Sequence, residues 1–305
     1  MRRSQAIGPA GHPIPAVPGS CYSRHMTFRR EPIHVGTGEP VLLLHPFLCS
    51  QEVWSTVADQ LAETGRFEVF APTMVGHHGG PPTRRWLLDT HAFADEVERQ
   101  LDELGWETAH IVGNSLGGWV SFELERRGRA RSLTAIAPAG GWSDFSPVKF
   151  EIVAKFLAGG PALLAARLMG AERILQLPFA RRIATLAISG PADGPRHPEL
   201  VTLIEDATHC PAYFQLLVKS LTAPGLKELA AARTPVHLVT CEFDRVLPHP
   251  RYSRHFTENL PPSSRVSRLA GVGHIPMLEA PGRVTELIAD FIDEHTAPVT
   301  DASAG

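Results

Sequence analysis

The run Ala109-His110-Ile111-Val112-Gly113-Asn114-Ser115-Leu116-Gly117-Gly118-Trp119 decides how the rest of the chain is read. A short apolar segment, Ala109 to Val112, ends in Gly-x-Ser-x-Gly and passes directly into residues of helical character. A strand that turns sharply into a helix at a serine forces that residue into cramped backbone geometry, which is why small neighbours stand at Gly113 and Gly117. The turn lifts the hydroxyl out at the top of a sheet and turns the Leu116 amide toward the place where an oxyanion would develop. The five-residue pattern alone recurs by chance, so its weight rests on the residues around it.

On both sides, strands alternate with helices. Phe28 to Val35 and Pro40 to Leu44 read as strands joined by Gly36-Thr37-Gly38, and Val41 to Leu44 is a continuous apolar run suited to a strand covered on both faces. Gln51 to Ala62 has helical spacing, Phe67 to Ala71 is a short strand, and Thr90 to Leu104 is a helix with Phe93, Val97, Leu101 and Leu104 on one face. A helix from Leu116 to about Arg127 and a strand from Leu133 to Ala137 follow the serine. From Trp142 to about Ala232 the pattern is helical throughout, punctuated by Gly160-Pro161, Gly190-Pro191 and Gly194-Pro195. Alternation resumes with strand Val236 to Thr240, helix Tyr252 to Leu260, strand Arg265 to Leu269 and a closing helix, Arg283 to His295. The expected fold is α/β, a doubly wound and mostly parallel central sheet with an inserted helical cap. Residues 28–141 and 233–295 form the expected core and 142–232 the cap. Residues 1–27 read as a disordered Gly- and Pro-rich arm, and 296–305 as a frayed tail. Met26, just before the first strand pattern, is an alternative start to Met1.

Composition narrows the function classes. The 305 residues are 43% hydrophobic and 20% charged, with a formal net charge of -3 and no basic block, which argues against a nucleic-acid partner. Cys21, Cys49, Cys210 and Cys241 are far apart and form no C-x-x-C, as expected of packing thiols in a reducing, cytoplasmic setting. No uninterrupted apolar run approaches about 18 residues, so no membrane span is expected. Nothing indicates a homo-oligomer, though the sequence is compatible with one.

A serine hydroxyl becomes a nucleophile only when a base removes its proton, and the base needs an acid to orient it. Downstream of Ser115, strand 236–240 ends in Cys241-Glu242-Phe243-Asp244 and strand 265–269 ends in Gly271-Val272-Gly273-His274. Both loops lie beyond the carboxyl ends of parallel strands, where such sheets place their sites. Asp244 is the expected acid, with Glu242 as its competitor, and His274 is the expected base.

Four motifs together resemble the capped α/β-hydrolase-fold enzymes over roughly Phe28 to His295. They are His45-Pro46-Phe47, Gly113 to Gly118, Asp244-x-x-x-Pro248 and Gly273-His274-x-Pro276-x-x-Glu279-x-Pro281. The resemblance implies that the segment after the family's third strand donates an oxyanion-hole amide. Phe47 is then the donor paired with Leu116, since Pro46 has no N–H. His45, Asn114 and Trp142 are the expected pocket residues. In this family, epoxide and carbon–halogen cleavage use an Asp nucleophile, so Ser115 points away from both. The family's Asp-x-x-Gly-x-Gly-x-Ser loop is replaced here by Pro72-Thr73-Met74-Val75-Gly76-His77-His78-Gly79. His77 and His78, with His45 and His209, raise a metal reading. Adjacent residues rarely aim at one ion, however, and no H-x-x-x-H or H-E-x-x-H occurs around them, so no metal and no cofactor are expected. The implied activity is serine hydrolysis of an ester, thioester or lactone of a small apolar substrate. Asn114 and Gly117-Gly118 keep open C–C bond hydrolysis of ring-cleavage products, and a non-catalytic ligand receptor on the same fold is the alternative outside enzymes.

Overall fold

The computed structural model describes residues 28–83, 88–142, 146–186, 188–191 and 194–296; the expected arm at 1–27 and nearly all of the expected tail lie outside them. The chain runs β1 (Ile33–Gly36), β2 (Glu39–Leu44), α1 (Ser55–Glu63), β3 (Phe67–Ala71), α2 (Thr90–Glu103), β4 (Ala109–Asn114), α3 (Leu116–Arg126) and β5 (Ala130–Ile136). A helical insertion follows: α4 (Val148–Met169), α5 (Ala171–Leu175), α6 (Ala180–Leu186), α7 (His197–Thr208) and α8 (Tyr213–Thr222). The closing part is β6 (Val236–Cys241), α9 (Arg254–Asn259), β7 (Arg265–Leu269), α10 (Pro276–Glu279) and α11 (Pro281–Asp293).

The sheet order is β1-β3-β2-β4-β5-β6-β7, with β1 antiparallel to β3 and the other pairs parallel. The apolar strands explain why both faces are covered. Successive side chains point to opposite faces, so Leu42 and Leu44 enter one core with Phe93, Leu101 and Val120 of α2 and α3. Val41 and Leu43 enter the other, with Val57, Leu61, Val284 and Ile288 of α1 and α11. All four β2 side chains are fully buried, and each such burial contributes roughly 1.5–3 kcal/mol.

Element boundaries moved where tertiary pairing overrode local pattern. β1 starts at Ile33 rather than Phe28, because only four of its residues find partners on β3; Arg29 bridges Gly79 instead. β5 begins three residues earlier than the apolar run suggested, where Ala130 pairs with Ala109. One helix, α4, is long and apolar enough to cross a membrane by length and composition. Lys149, Glu151 and Lys155 break its first turns, so it holds no uninterrupted apolar run of spanning length. It packs here against α7 and α8.

Candidate active site

The loops after β2, β4, β6 and β7 converge at the carboxyl edge of the sheet. After β4, Ser115 adopts φ 54° and ψ -111°, a left-handed conformation that ordinary residues avoid. Its backbone is held on both sides: its N–H donates to Ile136 O (3.0 Å), and its carbonyl accepts from Trp119 N (3.1 Å) and Ala139 N (2.9 Å). The flanking glycines are required by contact. A Cβ at Gly113 would lie 2.4 Å from the Gly117 carbonyl, and one at Gly117 would lie 2.2 Å from Leu44 O.

After β6, Asp244 folds back on its own loop, its Oδ1 accepting from Val246 N (2.8 Å) and Leu247 N (2.7 Å). Its Oδ2 lies 2.7 Å from His274 Nδ1 on the loop after β7. Ser115, Asp244 and His274 are all buried. Glu242 does not meet the imidazole; it is exposed and binds Gly271 N (2.8 Å) and Arg268 Nη2 (3.4 Å). Asp244 sits further round the loop and is the carboxylate that meets the imidazole.

The loop after β2 turns at Pro46, whose carbonyl accepts from Cys49 N (3.3 Å), with Leu48 at φ 66°. Among the described residues neither the Phe47 nor the Leu116 amide donates a hydrogen bond, and both residues line the cleft containing Ser115. Leu116 opens α3, where a backbone N–H has no partner within the helix.

Two residues expected in the pocket lie behind it. His45 is fully buried and absent from the cleft wall. Met74 N donates to its Nε2 (2.9 Å), so Nδ1 carries the proton and donates to Pro46 O (2.8 Å). Burial, then the neighbouring His77, holds its pKa well below the usual range. Asn114 is also fully buried; its Nδ2 donates to Ile136 O (3.0 Å) and His274 O (3.1 Å) and so ties the serine strand to the His274 loop. Trp142 does line the cleft, edge-on to Trp119 at 5.1 Å. His77 and His78 diverge. His77 packs on the His45 ring at 4.8 Å, with burial pulling its pKa down to about 4, whereas His78 turns to Asp206 (3.2 Å).

The alpha/beta hydrolase family profile matches residues 41–287. The chain belongs to the alpha/beta hydrolase family. It is 63% identical over 207 residues to a protein of Mycobacterium tuberculosis named epoxide hydrolase EphH, an alignment covering 68% of this chain and 96% of that one. It is 24% identical to a Bacillus subtilis protein named as an uncharacterized carboxylesterase, across 92% of this chain and 89% of the other. Among solved structures, a thermophilic esterase from Thermogutta terrifontis superposes with a TM-score of 0.67 at 21% identity, covering 88% and 94% of the two chains. The protein is thus a hydrolase of the α/β-hydrolase fold.

In this α/β hydrolase the helical insertion contributes part of the wall of the cleft that holds Ser115. The cleft has a volume of about 490 Å3 and takes Ile152 and Phe156 from α4 and Leu216 and Lys219 from α8. Phe47 packs against Phe156 at 5.1 Å and Tyr213 at 6.2 Å, joining the β2 loop to both helices. Two positioning contacts had no role assigned from sequence. The Glu279 carboxylate accepts from Gly273 N (2.8 Å), beside His274, and from Gly190 N (2.7 Å) of the insertion. Burial pushes its pKa up. Lys155 Nζ of α4 donates to Arg245 O (3.0 Å) and Val246 O (2.9 Å), clamping the Asp244 loop. Glu279 was visible within a motif, spaced three residues from Pro276; nothing in the sequence marked Lys155.

Proposed function

We propose that this α/β hydrolase uses Ser115 to cleave an ester, thioester or lactone of a small apolar compound. The observation that carries the reading is a serine on a strained elbow lining the cleft, with a buried histidine on another loop of the same sheet edge whose Nδ1 is held by Asp244. His274 takes the Ser115 proton through Nε2 as Oγ attacks the carbonyl carbon. The Phe47 and Leu116 amides hold the oxyanion, each such donor being worth about 3 kcal/mol in the transition state. Asp244 fixes the tautomer and steadies the imidazolium. The leaving group departs with that proton, and water, activated by the same imidazole, releases the acid from the acyl-enzyme. The apolar part of the wall, with Phe47, Trp119, Trp142, Ile152 and Phe156, favours a hydrophobic group on the substrate, while Asp89, Glu123, Arg126 and Lys219 stand elsewhere on the same cleft.

A second reading, epoxide hydrolysis, is favoured by the name of the 63%-identical relative. Attack by Ser115 on an epoxide would leave an ether, which lacks the acyl carbon that water needs, and turnover would stop. Epoxide opening on this chain would instead require water activated directly by His274 and Asp244, with Ser115 dispensable. Ser115→Ala therefore separates the readings. It is expected to abolish hydrolysis of p-nitrophenyl butyrate, and a fluorophosphonate is expected to label Ser115 in the native protein. Native protein that resists the label, or a variant that retains ester turnover, overturns the serine mechanism; retained styrene oxide hydrolysis in the variant establishes the second reading. If neither substrate turns over while a ligand raises the melting temperature, a receptor role replaces both. C–C bond hydrolysis draws no support from Asn114, whose Nδ2 donates to the backbone of Ile136 and His274.

A further inference from the structure

We infer that the outer face of α4 to α6 is a docking surface for an anionic lipid bilayer. α4 is apolar nearly all round, yet it packs on one side only. Its inner residues Ile152, Val153 and Ala166 are buried, while Phe150 (67% exposed), Leu157 (53%), Leu164 (58%) and Leu168 (77%) face outward. Those four positions repeat at helical spacing and form one stripe along the helix. Only 17% of the most apolar window of this helix is buried, so it is not the core helix of a soluble domain. Phe179, just before α6, and Ile183, on it, extend the same character. Of the fifteen large apolar side chains exposed among the described residues, nine fall between positions 150 and 186, which makes this a concentrated patch rather than ordinary surface scatter.

Charge identifies the occupant. Of the six basic and two acidic side chains in residues 148–186, Lys149 is buried, Lys155 is held on the Asp244 loop and Glu151 pairs with Arg251, which leaves Arg167, Arg173, Arg181 and Arg182 exposed against Glu172. The guanidinium groups of Arg173 and Arg182 are exposed and have no ion-pair or hydrogen-bond partner among the described residues. A basic, apolar helical surface of this kind lies in the headgroup boundary, with the apolar side chains in the acyl region and the cations on anionic lipid. Spanning is excluded by geometry, since α7 and α8 cover the other side of α4. Pairing with a second copy would juxtapose patches of like positive charge, whereas anionic lipid neutralises them. The inner side of the same helix supplies Ile152 and Phe156 to the cleft, so docking would bring the cleft to the lipid interface.

The purified full-length protein should co-sediment with vesicles of phosphatidylcholine containing about three-tenths phosphatidylglycerol, more weakly with phosphatidylcholine alone, and less as salt rises. Leu168→Glu with Phe179→Glu, both at highly exposed positions, should weaken vesicle binding about tenfold or more. The double variant should keep its circular dichroism spectrum and its activity on a soluble ester. No binding to either vesicle, or binding that survives both substitutions, overturns the inference. So does a concentration-stable dimer that the same substitutions split, since that assigns the face to a second copy. The vesicle-binding and oligomer readouts do not depend on the nucleophile.

Discussion

At the scale of single residues the acid is the sharpest test of the site. Asp244 Oδ2 holds His274 Nδ1 at 2.7 Å, while Glu242 is turned to Gly271 and Arg268. Asp244→Asn should lower kcat by about four orders of magnitude, because the amide no longer fixes the tautomer, while Glu242→Gln should stay within a few-fold of the parent by the same reasoning. Stopped-flow ester hydrolysis on both variants checks this; equal losses would assign the carboxylates wrongly. The elbow was legible because its constraint is local: Gly113, Ser115 and Gly117 are neighbours in sequence, and steric necessity shows in residue type. The same logic placed Asp244 and His274 at strand ends. It failed for His45 and Asn114, because the direction in which a side chain leaves its loop depends on partners such as Met74 N and His274 O, tens of residues or more away.

Among elements, the informative contact is the one Glu279 makes at the end of α10 with the backbone of both the base loop and the insertion. Replacing it with Gln leaves one acceptor and sets an amide NH2 against the second N–H, at a cost of about 1–3 kcal/mol for an unmet buried donor. Glu279→Gln should therefore lower the melting temperature and reduce kcat more than it raises KM, because the base loop loses its support while the cleft wall is unchanged. A variant with raised KM and unaltered kcat would remove Glu279 from the positioning of His274. Strand and helix order was readable from periodicity, since buried parallel strands such as β2 are apolar throughout. The ends of β1 and β5 were not, because a partner strand sets them. The placement of α4 against α7 and α8 also lay beyond the pattern, because apolar residues all round a helix do not say which side is covered.

For the whole molecule, buried imidazoles govern the response to acid. Burial holds His77, His110 and His237 at about 4 and His45 well below its ordinary value of 6.5. The unfolded chain binds protons below pH 6.5 that the folded chain refuses. The stability these groups contribute is therefore complete above that pH and is lost as pH falls toward about 4, at roughly 1.4 kcal/mol per pH unit for each. Calorimetry should find a level melting temperature above pH 7 and a steep fall between about 6.5 and 4. A flat profile through that window would show that the rings gain no protons on unfolding. Long-range ties of this kind, like Asp206 accepting from Arg30 and Ser50 at 2.5 Å each, join residues more than a hundred positions apart, and no sequence window spans them.

The insertion also rests directly on the loop that carries the base. A methyl at Gly190 would lie 2.3 Å from Gly271 O, and one at Gly273 would lie 2.4 Å from Ile188 O. Two bare backbones meeting this closely make the insertion a poor interchangeable part. A chimera that borrows another enzyme's lid to change substrate range must keep residues 188–190 with their native sheet and place its splice points before them and after β5. A junction beyond them would import a foreign surface against Gly273 and shift the imidazole itself.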